Sequence, residues 1–148
     1  MNDKFDSFSG LLRGALGDRL KGGSDLVDLF CEDVVFEFPY APEGLPRRLE
    51  GLSALADHLT RLGPMLELRE FTLHAVHPAG DTVIFEFSCE GKGIATGLPY
   101  DQDYISVVTL REGRIARYRD YWNPLVAVHA LGGAEAAAKA YAGEATNV

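Results

Sequence analysis

The sequence predicts an α+β fold, a cone of about three helices packed on one strongly curved, mostly antiparallel sheet. One change of period and one cluster of glycines carry this reading. Apolar residues recur at three- and four-residue spacing up to Gly63, then alternate with polar ones at period two from Leu68 to Asn123. Glycines 91, 93 and 97 interrupt the second regime, as expected of a bent or bulged strand where a curved sheet turns a corner.

In order, Phe5, Phe8, Leu11, Leu12, Leu16 and Leu20 form a helical stripe over residues 5–20, weakened by Gly10, Gly14 and Gly17. Gly22-Gly23 breaks it, and Ser24 and Asp25 open a short second helix running to about Cys31. Val34 to Phe38 reads as a strand, followed by a loop punctuated by Pro39, Pro42 and Pro46 at the rim of a pocket. Leu52, Leu55, Leu59 and Leu62 share one face of a helix over 51–62 that stops at Gly63-Pro64. Two long antiparallel strands follow, through Phe71, Leu73 and Ala75 and through Val83, Phe85, Phe87 and Cys89, joined near residues 78–81. From about residue 125 an Ala-rich tail forms one or two short helices split at Gly132-Gly133, with a frayed end.

The stretch Val107 to Pro124 organises the rest. It reads as a β-hairpin turning through a three-residue loop, Arg111-Glu112-Gly113, with glycine at a positive φ. With Leu110 facing Arg114, Ser106 falls opposite Tyr118 and Tyr104 opposite Asp120, all on one face with Trp122. The other face carries Ile105, Val107, Ile115, Arg117, Arg119 and Tyr121. Neither set is plain core or plain surface, so the first is expected to line a small-molecule pocket and the second to meet another copy of the chain.

At 148 residues and 47% hydrophobic content the chain is expected to form a single domain over 1–148. A formal net charge of -8 with scattered arginines gives no basic patch, so neither nucleic acid nor an anionic membrane is an expected partner. No apolar run is long enough to span a bilayer and the N-terminus lacks a signal-peptide pattern, so a cytoplasmic location is expected. Cys31 and Cys89 lack metal or redox spacing and read as buried small hydrophobes, and the four histidines show no ligand spacing. No metal and no cofactor is expected.

Residues 25–39, the helix start Glu-Gly-Leu-Ser-Ala-Leu (50–55) and Arg-Glu-Gly-Arg-Ile-Ala-Arg-Tyr-Arg-Asp-Tyr-Trp-Asn-Pro (111–124) resemble SnoaL-like proteins of the nuclear transport factor 2-like superfamily. The resemblance covers roughly residues 5–131 and implies the cystatin-like cone shared with ketosteroid isomerases. Within it the chain is most similar to the phenazine-biosynthesis A/B proteins, through Glu-Gly-Lys-Gly (90–93), the hairpin and Ala-Leu-Gly (130–132). That resemblance implies an acid/base role for Asp120. Leu52 stands where those proteins carry a histidine. Phe38, before Pro39, stands where ketosteroid isomerases carry their base, and Ser106 stands near their acidic oxyanion donor.

The candidate catalytic residues are Asp120, Tyr118 and His58. Flanked by Tyr104, Tyr118 and Trp122, the Asp120 carboxyl would be partly desolvated and its pKa raised, as proton transfer near neutral pH requires. His58, on the flank of the leucine stripe, is the candidate second proton carrier. Tyr104, Ser106 and Trp122 are expected to bind a planar ligand, with Phe36, Phe38 and Tyr40 as apolar floor and entrance. The expected function is cofactor-independent isomerase, cyclase or dehydratase chemistry on a small hydrophobic carbonyl compound. The alternative is a non-catalytic ligand-binding or dimerisation module of the same fold.

Overall fold

A computed structural model describes residues 2–143. Four α-helices pack on a curved, open, seven-stranded sheet. The elements are β1 (Asp3–Phe5), α1 (Phe8–Leu16), β2 (Phe30–Glu37), β3 (Arg48–Glu50), α2 (Leu52–Leu62), β4 (Leu66–Ala79), β5 (Thr82–Gly93), β6 (Gln102–Arg111), β7 (Arg114–Trp122), α3 (Pro124–Ala130) and α4 (Ala134–Ala142). Short 3-10 turns occupy Gly17–Arg19 and Leu26–Leu29. The strand order is β1-β4-β5-β6-β7-β2-β3, antiparallel throughout the described residues except where β2 lies beside β7. The expected α+β architecture forms, with a fourth helix.

Several elements depart from the sequence expectation for local reasons. The first helix starts at Phe8, capped by Ser7 Oγ accepting from Gly10 N at 3.0 Å. Phe5 belongs to edge strand β1, paired with Phe71, and its ring lies over Gly14, where an added Cβ would come within 2.3 Å. Gly14 therefore weakens the helix but admits Phe5. The second helix is only the 3-10 turn at Leu26–Leu29, bracketed by Asp25 and Asp28. The proline-punctuated loop returns as β3, pairing Glu50 with Val35. The irregularities of the long β4–β5 pair fall on β4, between Leu68 and Glu70 and between Leu73 and Ala75, while β5 continues through Gly91 and Gly93.

The hairpin is tighter than expected. Glu112 (φ 54) and Gly113 (φ 84) form a two-residue turn in which both residues are left-handed, the geometry that matches strand twist. Leu110 faces Ile115, not Arg114. Ala116 is then left unpaired as a bulge, after which Ser106 faces Asp120 and Tyr104 faces Trp122. Relative to the expected pairing these partners have moved two positions along β7, which preserves their face. Ile115 is the exception: expected on the outer face, it is fully buried in the core.

The main core lies between the inner face of the sheet and helices α1 and α2. It is built on Leu11, Leu12 and Leu16 of α1, Leu55 of α2, and Phe36, Phe71, Phe85, Phe87, Val108, Ile115 and Tyr118 of the sheet. Cys31 and Cys89 are free and buried, as expected of small hydrophobes. No helix of the described residues is long and apolar enough to cross a membrane.

Candidate active site

Period-two alternation turns Tyr118, Asp120 and Trp122 of β7 and Tyr104 and Ser106 of β6 to the inner face. The leucine stripe of α2 buries its face against the sheet and carries His58 inward with it, leaving that residue 6% exposed. Between these elements lie two adjoining cavities, of about 160 and about 100 Å³. Both are bounded by Phe38, His58, Leu62, Leu68, Tyr104 and Asp120. The larger reaches Phe8, Phe30, Phe36 and Phe71, and the smaller reaches Tyr100, Trp122 and Ala127.

Asp120 is the carboxylate of this lining, and neither cavity includes a lysine or arginine among its lining residues. Its Oδ1 accepts from Ser106 Oγ at 3.3 Å, and Ser106 Oγ lies 2.7 Å from Tyr118 Oη. Burial without a neighbouring cation pushes the carboxyl up from 3.8 to about 7, the Ser106 hydrogen bond opposing. A carboxyl in this setting can exchange a proton near neutral pH.

His58 is shifted the other way. Burial lowers it from 6.5 to about 4, with the nearby Asp57 charge opposing, so its ring is uncharged at neutral pH. Phe38 packs on it with ring centroids 4.9 Å apart, and Nδ1 lies 2.9 Å from Tyr141 Oη. Tyr104 stacks on Phe87 at 4.5 Å and 7°, and its hydroxyl lies 3.0 Å from that of Tyr100. Burial pushes Tyr100 up to about 12 and Tyr104 well above its ordinary value, so both hydroxyls keep their protons at neutral pH.

Of the expected site residues, Asp120, His58, Tyr104, Trp122, Phe36 and Phe38 meet at the cavities. Tyr118 and Ser106 stand behind them. Tyr118 is fully buried and stacked on Phe36 at 4.3 Å and 6°, so its hydroxyl serves Ser106. Its position supports the Asp120 hydrogen-bond chain instead of a direct contact with a ligand. Tyr40 lies outside: it is 59% exposed and packs edge-on against Tyr121 of the outer face, because the chain turns away after Pro39. Tyr100 and Tyr141 were not anticipated. Extending the period of Tyr104 and Gln102 back by two residues would have found Tyr100. Nothing in the Ala-rich tail marks Tyr141. No three His, Cys, Asp or Glu side chains of the described residues come together as metal ligands.

A SnoaL-like domain model matches residues 20–118. The chain belongs to the SnoaL-like family. This SnoaL-like protein is 54% identical over 108 residues to the uncharacterized protein YesE of Bacillus subtilis, spanning 72% of this chain and 74% of that one. It is 43% identical over 113 residues to an uncharacterized PhzA/B-like protein of Pseudomonas aeruginosa, spanning 76% and 80%. Among solved structures, a provisionally assigned isomerase from Bacillus subtilis superposes with a TM-score of 0.71 at 47% identity, over 83% of this chain and 87% of that one. In the SnoaL-like frame the inner face of β6 and β7 combines one titrating carboxyl with uncharged donors in an aromatic enclosure. Such a site can bind a flat, largely apolar molecule and move a proton on it.

Proposed function

We propose that the protein is a cofactor-independent acid–base enzyme that isomerises, cyclises or dehydrates a small hydrophobic carbonyl compound. The observation that carries this is the Asp120 carboxyl, set without a cation where two aromatic-walled cavities meet, beside the uncharged His58 and Tyr104. In the ionised state Asp120 removes a proton from carbon next to the carbonyl. The C–H bond breaks, its electron pair passes to the carbonyl oxygen as an enolate, and the carboxylate becomes the acid that returns the proton elsewhere. Neutral N–H and O–H donors stabilise the enolate oxygen in a water-poor cavity. The provisional isomerase assignment of the Bacillus subtilis relative and the PhzA/B-like relative support the reading.

The test needs no knowledge of the natural substrate. 5-Nitrobenzisoxazole reports a desolvated base: removal of its ring C–H proton breaks the N–O bond and releases a coloured phenolate. Acceleration over buffer that is lost in Asp120→Asn is the expected result. An equal rate with and without the carboxyl would refute the proposal, and saturable binding without turnover would favour the ligand-binding module.

We also propose that two copies associate through the outer face. Ile105 (47% exposed) and Tyr40 flank an open concavity lined also by Tyr121, Glu86 and Asp103. Acids sit on the β5 and β6 side of this face, while Arg117, Arg119 and Arg48 surround Glu37 on the β7, β2 and β3 side. A two-fold axis near β6 and β7 sets arginines over acids. Arg119 Nε faces Glu37 Oε1 at 3.7 Å, and the side chain as a whole is 41% exposed, open to a carboxylate of a second copy.

A further inference from the structure

Helix α4 is alanine at six of its nine positions, Ala-Glu-Ala-Ala-Ala-Lys-Ala-Tyr-Ala, and it begins after Gly132 (φ +90) and Gly133 (φ +114). Ala137 is buried, and Ala138 lies against Gly44, where an added Cβ would come within 2.5 Å. Glu135 and Lys139 pair with each other at 3.4 Å. Tyr141 is the side chain of this helix that reaches the cavity wall. Its ring lies under the Arg61 guanidinium at 5.5 Å, its carbonyl accepts from Arg61 Nη1 at 2.9 Å, and its hydroxyl is 2.9 Å from His58 Nδ1. Three contacts from one residue thus fix the C-terminal helix to α2 at the position of the inward histidine.

A phenol is a stronger proton donor than a neutral imidazole, and the unprotonated imidazole nitrogen is a good acceptor. The favoured polarity of the contact is therefore Tyr141 O–H donating to Nδ1, which leaves the ring proton on Nε2. Nε2 has no partner among the described residues, and the ring lines both cavities. We propose that Tyr141 is a positioning residue: by donating to His58 Nδ1 it holds the ring with Nε2–H presented to the substrate oxygen in the cavity that contains Asp120. The inference rests on the acid–base reading above and assigns His58 the role of neutral electrophile, not second proton carrier. Burial keeps the imidazole uncharged, so the direction of this one hydrogen bond decides whether the cavity receives a donor or an acceptor.

The test separates positioning from activity. Protein carrying 15N-labelled histidine is examined by long-range 1H–15N correlation, with His58→Gln to assign the resonances. In the wild type Nδ1 is expected to be the unprotonated nitrogen. In Tyr141→Phe, which keeps the ring on Arg61 and the carbonyl contact, its resonance is expected to move downfield as the bond is lost. With 5-nitrobenzisoxazole the same variant should lose roughly fivefold in kcat, the worth of one neutral hydrogen bond, with KM little changed. A proton on Nδ1 in the wild type overturns the proposal before any variant is made. An unmoved Nδ1 resonance in Tyr141→Phe also overturns it, whatever the rate. If no turnover occurs at all, the acid–base reading fails, while the nitrogen resonances still decide whether Tyr141 positions His58.

Discussion

Replacing Asp120 by Asn should stabilise the protein, and more so as the pH rises. Asn keeps the shape of the carboxyl and an oxygen that can accept from Ser106 Oγ, but it cannot ionise. The carboxyl titrates near 7 in the fold against 3.8 in an unperturbed chain. Because the folded value is the higher one, this group's contribution to stability is complete below about pH 4 and is lost as the pH rises through 7. Between pH 5 and pH 8 the wild type should lose roughly 2.5 kcal/mol through Asp120 alone, and above pH 7 the full cost of the charge is on the order of 4 kcal/mol. For a chain of this size that is roughly 8–15 °C in Tm at pH 8, shrinking to a few degrees at pH 5. Thermal melts of both proteins across this range test it, since pH effects common to both cancel in the difference. A difference independent of pH, or an Asn variant less stable at pH 8, would show that Asp120 is not held near 7. A gain in stability together with the loss of 5-nitrobenzisoxazole turnover is the signature of a site that sacrifices stability for chemistry.

Turnover of 5-nitrobenzisoxazole should rise with pH and reach half its limit near pH 7, as ionisation of Asp120 produces the base; a midpoint near pH 4 in the rate profile would contradict the desolvated setting. Ile105→Glu, which adds a charge to the exposed outer face, should convert a dimer to a monomer by light scattering without changing the circular dichroism spectrum; a wild-type monomer at micromolar concentration would end the dimer proposal. Gly93→Ala should destabilise by roughly 1–3 kcal/mol in urea titrations, because its Cβ would stand 2.0 Å from the Ala130 carbonyl and force α3 off the sheet.

The fold was legible where burial imposes a period. The leucine stripe of α2 and the alternation of Phe85, Phe87 and Cys89 each select one backbone geometry, and both elements formed where expected. Edge strands β1 and β3 were not legible: each is three residues long, and Arg48-Leu49-Glu50 pairs through its backbone while largely exposed. The inward face of Asp120 survived an incorrect register because strand faces repeat every two residues, and the register was off by two. His58 and Tyr141 are 83 residues apart, and only the docking of α4 on α2 joins them. Their contact depends on the path of the chain through Gly132-Gly133, which no periodicity encodes.

The bulge at Ala116 explains how one hairpin supplies both core and site. At the turn Leu110 faces Ile115, and both pack into the core, so an unbroken ladder would continue with Val108 facing Arg117 and Ser106 facing Arg119. Two guanidinium groups would then enter the aromatic enclosure, and Asp120 would stand outside among the carboxylates and arginines of the outer face. A solvated carboxylate there titrates near its ordinary value and is a poor base at neutral pH. The unpaired Ala116 reverses the parity of β7. Ile115 stays buried, Arg117 reaches Glu37 at 2.9 Å outside, and Asp120 faces Ser106 within. A single extra residue in one strand thus decides which sign of charge enters the cavity, and with it whether a carboxyl there titrates near 7.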